Sequence, residues 1–279
     1  MIRPARMNDA SALHRLAVLL NSTNLPDEPG GIEEILLHSC QSFDAKIQNP
    51  LERLYLFILE DAAKQKVIGS SQIIAQHGNL ELPHIYFQIE PIHCRSESLN
   101  QTLEHQILRL GFDSEGMTEI GGLILDPEYR HIPCKLGRAL SLVRLWFIQQ
   151  NRAHFKDRLL AELLPPFDEQ GQSPFWHALG QHFMNLSYRQ ADHLSRKQKE
   201  FIETLFPKAP IYVSLLPAEA QAVLGQVGKG SQPAAHMLSQ LGFQFEGRID
   251  PFDGGPHFEM RTQDLPEIAL EFDVKIELT

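Results

Sequence analysis

Three cationic side chains, Arg130, Lys135 and Arg138, fall between a short apolar run and a longer helical one. The apolar run, Gly122-Leu123-Ile124-Leu125, stops at Asp126-Pro127, where proline's missing N–H ends a buried strand. From Gly137 onward Leu140, Val143, Leu145, Trp146 and Phe147 recur at helical spacing, and Arg138 and Arg144 are expected to face water. Strand, basic turn and helix bring free backbone N–H groups, the positive end of a helix dipole and cations to one place. That combination suits a phosphate group. A bare strand-turn-helix is by itself an ordinary connection, so the cations carry the reading.

Titratable candidates for proton transfer are His93, Glu119 and Glu162, the two acids flanking the apolar strands on either side of the helix. Each could act as a base if desolvation shifted its pKa, and each also reads as a surface or hydrogen-bonding residue. Glu162 interrupts the run Leu159 to Leu164, so it either faces solvent or is a buried acid that needs a partner. A carboxylate-bearing ligand would need Arg or Lys, and Arg3, Arg95 and Arg248 gathered around one closed pocket would argue for an amino acid.

These residues hang on a regular series of elements. Ile2-Arg3-Pro4-Ala5 reads as an edge strand, and Asn8-Asp9 cap a helix carrying Leu13, Leu16, Ala17 and Leu20. The polar loop Asn21 to Pro26 precedes a second helix, about Ile32 to Phe43. Strands follow at Leu54–Glu60, Val67–Ala75, His84–Ile92 and Leu159–Leu164. Ser173 caps a helix with Pro174 in its first turn and Phe175, Trp176, Leu179 and Phe183 on its apolar face. The alternating tail ALEFDVKIEL reads as a terminal strand placed against a sheet edge. A meander followed by strand-turn-helix predicts an α+β fold with a mixed central sheet flanked by helices.

At 279 residues the chain can bury a large core as one domain or two joined ones. Charged residues at 22% and apolar ones at 43% are globular values. A formal charge of −10 argues against a nucleic-acid partner. Cys40, Cys94 and Cys134 form neither a zinc pattern nor a disulfide framework, so no metal is expected and a reduced, cytoplasmic setting fits. No leader and no membrane span is expected, since no apolar run approaches the roughly 18 residues a span needs.

The Asp126-Pro127-x-Tyr129-Arg130 turn resembles the acyl-CoA-binding segment of the GNAT acyltransferase superfamily, and Cys134-x-x-Gly137-x-Ala139 resembles the later half of its signature. Ser173-Pro174-Phe175-Trp176-x-x-Leu179-Gly180, Ala191-Asp192-x-Leu194, Pro210-Ile211-Tyr212, Gly225-Gln226-Val227 and Phe252-Asp253-Gly254-Gly255-Pro256 are similar, in order, to bacterial arginine N-succinyltransferases. The resemblance covers roughly residues 1 to 262. It implies a tandem GNAT-like fold, with residues 1–155 an acyl-CoA-binding domain and 156–279 completing the sheet as a second, similar subdomain.

The implied chemistry is transfer of succinyl from succinyl-CoA to the α-amine of arginine, in arginine catabolism. Leu123 falls on the family's coenzyme-contacting leucine; with Ile124, Leu125, Arg130, Lys135, Gly137 and Arg138 it makes the implied cofactor set. Amides near Leu123 and Ile124 would receive the oxyanion, and Tyr129 or Tyr212 could give the leaving thiolate its proton. His93 matches a family histidine. The family's proposed catalytic histidine falls on Gly228, a second histidine on Ser114 and an arginine on Leu164. Two alternatives stay open: an acyltransferase with another amine acceptor or acyl donor, and a non-catalytic homologue or partner subunit of an active acyltransferase, as a homo- or hetero-oligomer.

Overall fold

The computed structural model describes residues 1–20, 25–26, 29–130, 134–195, 198–272 and 274–278. In chain order the elements are β1 (Ile2–Pro4), α1 (Ala10–Leu20), α2 (Pro29–Phe43), β2 (Leu54–Asp61), β3 (Lys66–His77), β4 (His84–Ser96), β5 (Gln101–Asp113), β6 (Met117–Leu125), α3 (Leu136–Gln150) and β7 (Arg158–Glu162). Short pieces follow: α4 (Pro174–Ala178), α5 (Gly180–Met184), α6 (Tyr188–Ser195), α7 (Glu200–Leu205), β8 (Ile211–Tyr212), α8 (Ala218–Gln221), α9 (Gln232–Gln240), β9 (Gln244–Ile249) and β10 (Pro256–Arg261). Among the described residues no helix is long and apolar enough to cross a membrane.

Contacts divide the chain into two compact units that are interleaved, rather than lying on either side of residue 155. The first comprises residues 1–77, 116–160 and 261–279, and the second 78–115 and 161–260. The reason is the hairpin β4–β5, paired from His84↔Asp113 to Ser96↔Gln101, which joins β9 and β8 and so belongs with later parts of the chain.

In the first unit β1, β2, β3 and β6 pair antiparallel in that order, and β7 joins β6 in parallel. Alternation along β2 sends Leu56 and Ile58 to one face, where they meet Leu13, Leu16 and Leu36 of α1 and α2. The intervening Tyr55 and Phe57 meet Phe147 of α3, with ring centroids 4.9 and 5.5 Å away. Helix α3 is therefore a buried helix, and Arg144 on it is 3% exposed, contrary to the expectation that it faces water. Its guanidinium does not reach solvent because acceptors lie within the fold, as described below.

The second unit carries β10, β9, β4, β5 and β8 as antiparallel neighbours. Phe87 and Leu108 of the hairpin pack with Phe175, Trp176, Phe206 and Phe252. Ser173 accepts from the Trp176 amide at 3.0 Å and starts α4, as its sequence predicts. The helix stops at Leu179, whose backbone leaves the helical region, and Phe183 on the following piece is 43% exposed. The tail also departs from expectation: it makes one isolated bridge, Ile276 to Ile2, with the Ile2 amide donating to Lys275 and Glu277 donating back to Ile2. The pairing is to the edge strand, but too brief to form a strand.

Candidate functional site

Strand β6 spends three steps where β3 spends two. Gln72 pairs with Gly121 and Ser70 with Ile124, so Gly122 and Leu123 bulge out of the ladder. Gly122 has φ +57°, which a side chain tolerates poorly, and a Cβ there would stand 2.8 Å from Gln72 Cγ. Arg144 reaches up from α3 and donates to the Gly121 carbonyl at 2.8 Å, while its other nitrogens bond the Ser141 carbonyl and hydroxyl at 3.2 and 2.6 Å. Burial pushes this guanidinium down to about 9, still charged at neutral pH. The bulge is thus held from below by a buried cation.

On its other side β6 pairs with β7 only at Thr118↔Leu159 and Glu119↔Leu160. Beyond Glu119 the strand, among the described residues, keeps its ladder with β3 alone, and the bulge lies along that stretch. Glu119 faces the same side as Gly121, and a Cβ at Gly121 would stand 3.1 Å from Glu119 Oε1. Its second oxygen lies 2.5 Å from Nδ1 of His77, at the end of β3, and the two side chains are 12% and 21% exposed. Gln72 shares the face, and its Oε1 is buried with no hydrogen-bond partner among the described residues. A carboxylate backed by an imidazole, an unpaired strand edge and a bulge therefore occur within a few residues of one another.

The predicted cofactor residues continue from this point. Leu123, Ile124 and Leu125 complete β6, and Arg130 donates from Nε to the Leu125 carbonyl at 3.1 Å. Asp126 anchors the turn. It accepts from the Glu128 amide and pairs with Lys66 at 3.0 Å; burial opposes its charge, yet Lys66, the Glu128 amide and Arg15 hold its pKa below the usual value. Lys135, at φ +49°, stands at the N-terminus of α3, and Lys135 and Arg138 are exposed. A Cβ at Gly137 would meet only Leu125 Cδ2 at 3.6 Å, so the chain's own packing does not require glycine there. His131-Ile132-Pro133 lie outside the described residues.

Other candidates lie elsewhere. His93 is on the surface of the hairpin, its side chain 66% exposed and 3.8 Å from the equally open Glu104. Glu162 belongs to the second unit, where its Oε1 lies 3.8 Å from His84 Nδ1 and 3.8 Å from His257 Nε2. Arg3 is buried against Asp9 at 2.8 Å and Glu60 at 2.9 Å. Arg248 is bonded to Asp113 and Glu259 and lies over the Tyr86 ring, and Arg95 is exposed. The three arginines thus form no common pocket within either unit. Tyr129 donates to Asp61 at 2.9 Å, and Tyr212 is a half-open residue on β8. At Gly228 a Cβ would stand 2.5 Å from the Pro165 carbonyl, so no histidine fits on this backbone.

Three residues of the site escape a reading of the sequence: His77, Gln72 and Arg144. His77 is 42 positions from Glu119, and only the β3–β6 register brings them together. The paired glycines Gly121-Gly122 were the available signal of a bulge.

A family model described as "Arginine N-succinyltransferase beta subunit" matches residues 1–267. The chain belongs to the arginine N-succinyltransferase family. An arginine N-succinyltransferase of Yersinia pestis (strain Pestoides F) is 38% identical over 267 residues, covering 95% of this chain and 75% of the relative. "Arginine N-succinyltransferase subunit alpha" of Pseudomonas aeruginosa is 34% identical over 272 residues, covering 96% of this chain and 80% of that one. The solved structure of arginine/ornithine succinyltransferase subunit AI from Pseudomonas aeruginosa superimposes with a TM-score of 0.80 at 32% identity, over 95% of this chain and 77% of that one. Membership of the arginine N-succinyltransferase family makes the chain a member of an acyltransferase family with a mixed α+β fold.

Proposed function

We propose that the chain transfers a succinyl group from succinyl-CoA to the α-amine of arginine, using the open edge of β6. The observation that carries the reading is the conjunction on one strand: a bulge, a half-unpaired edge, and the Glu119–His77 pair where parallel pairing stops. The names of the relatives support succinyl and arginine as the substrates. Subunit designations in two of them support a multi-subunit assembly.

The thioester supplies an electrophilic carbonyl. Lys135, Arg138 and the first amides of α3 attract the phosphates at the far end of the coenzyme, and the bare backbone at Gly137 lets them come close. Amides of Leu123 and Ile124 hydrogen-bond the carbonyl oxygen as it gains charge, from a strand whose bulge Arg144 holds in place. Glu119 takes a proton from the ammonium of the acceptor, and His77 on its second oxygen fixes the carboxylate's orientation. The freed amine forms the C–N bond, its surplus proton passes to the departing thiolate as the C–S bond breaks, and Glu119 returns the proton it took to solvent. Glu119 then replaces the absent residue 228 imidazole as the base.

Gly228 supports a second reading, a subunit that binds coenzyme and completes an active partner. The two are separated by thiol release from succinyl-CoA, with and without arginine, on the purified chain alone. Arginine-dependent release is expected. Saturable succinyl-CoA binding in calorimetry without release would favour the partner-subunit reading, and absence of both would end the enzyme reading.

A further inference from the structure

We propose that the outer half of the β4–β5 hairpin is an arm that pairs with the same arm of a second copy of this chain, about a two-fold axis at Leu103. The hairpin runs in unbroken register from His84↔Asp113 to Ser96↔Gln101. Neighbouring strands cover only its inner half. Strand β9 pairs with β4 at Phe87 and Gln88, and β8 pairs with β5 at Ile107 and Leu108. Beyond those points, among the described residues, 91–96 and 101–106 form a ribbon of two strands whose outer edges are open. Such a ribbon is marginal in water unless something adds to it.

The two faces of the hairpin exchange character along its length. In the inner half Phe87, Ile89, Leu108 and Leu110 turn one face to the core of the second unit. Alternation carries that face outward to Pro91, His93 and Arg95, opposite Gln106, Glu104 and Thr102, all of them exposed and all but the proline polar. The other face carries the Glu90–Arg109 ion pair in the inner half and becomes apolar beyond it. Ile92, Cys94 and Leu103 lie there, and Tyr212 of β8 continues the stripe with its ring centroid 5.7 Å from that of His105. Leu103 is 54% exposed, and Cys94 is exposed. A ribbon that turns its apolar residues away from its own core is patterned for contact with another chain.

The open edge of β5 selects the occupant. Edge strands are commonly blunted by proline, lysine or a bulge. Pro91 removes a donor from β4, but Gln101-Thr102-Leu103-Glu104-His105-Gln106 has none of the three and keeps a regular strand. Two such edges, antiparallel about an axis at Leu103, set Leu103 against Leu103 of the second copy, Glu104 against Thr102 and His105 against Gln101. Apolar meets apolar at the centre and no like charges are opposed, so the edge is complementary to itself. An axis at Glu104 would oppose two carboxylates, one at His105 two imidazoles, and one at Thr102 would leave half the edge unpaired. Pairing at Leu103 turns two ribbons into one four-stranded sheet and joins their apolar stripes. The inference rests on these strands alone and is independent of acyl transfer.

The purified full chain is followed by sedimentation equilibrium between about 1 and 100 μM, the range in which small interfaces associate. A rise from 31.7 kDa towards twice that mass is expected. Thr102→Lys, facing Glu104 of the second copy in two symmetric pairs, tightens the dimer, whereas Thr102→Glu and Leu103→Arg each weaken it by about tenfold or more. Residues 102 and 103 are exposed, so circular dichroism should show every variant folded. In a Cys94→Ser background, Leu103→Cys forms a covalent dimer on mild oxidation and Cys94→Ser alone does not. Directly opposed strand residues stand about 4.5–5.5 Å apart at Cα, within the disulfide range of about 4.4–6.8 Å. A chain that stays at monomer mass throughout overturns the proposal. So does a dimer that Thr102→Glu and Leu103→Arg leave intact, because its interface then lies on another surface.

Discussion

Gly122→Ala tests the bulge directly. Alanine at φ +57° costs about 1–2 kcal/mol for a left-handed L-residue. The new methyl group would also stand 2.8 Å from Gln72 Cγ and 3.0 Å from Cδ, an overpacking that costs about 1–3 kcal/mol in a tight interior. The sum, about 2–5 kcal/mol, corresponds to a fall in melting temperature of order 10 °C for a chain of this size. Gln72→Ala deletes the two atoms struck, so the double variant recovers the packing share and keeps the conformational one. A double-mutant cycle by denaturant titration should therefore show favourable coupling of about 1–3 kcal/mol. Succinyl-CoA affinity, measured by calorimetry, should drop in Gly122→Ala because the amides of Leu123 and Ile124 are re-aimed. A variant that melts within about 1 °C of the parent, or a cycle that is simply additive, refutes the geometry of the bulge and the role built on it.

Glu119→Gln should lower kcat for thiol release about 10²–10⁴-fold while leaving the KM for succinyl-CoA nearly unchanged, whereas His93→Ala, on the open hairpin surface, should change neither. Steady-state kinetics on both variants decides it, and a large effect at His93 with none at Glu119 would exchange their roles. Asp126→Asn should be less stable than the parent at pH 7. Because the folded pKa of Asp126 lies below 3.8, its contribution is present above that value and lost as pH falls through the folded pKa. The two proteins should thus converge in acid, and urea titrations at pH 7 and pH 3 measure the gap. A gap that widens in acid would contradict the sign.

Much of the frame was legible in residue order alone. The strands at Leu54, Val67 and His84, the capped turn at Asp126-Pro127 and the helix beginning near Gly137 follow from local pattern, and local pattern is what dihedral preference and periodicity encode. Strand β5 escaped because Leu103, Ile107, Leu108 and Leu110 do not alternate strictly and Leu103 is exposed. The ordered motifs that resemble arginine N-succinyltransferases were also in the sequence, and the match over residues 1–267 agrees with them.

What the chain order could not decide was who meets whom. Arg144 has the spacing of a surface residue on a helix, and only the packing of α3 beneath β6 turns it inward to the Gly121 carbonyl. His77 and Glu119 are joined by an antiparallel register between strands that are not neighbours in sequence. His84 and His257 lie 173 positions apart and meet across the antiparallel strands of the second unit. Periodicity is a property of a few consecutive residues, whereas a site is a set of distances between strands. Those distances are set by register and layer packing, which depend on the whole chain at once.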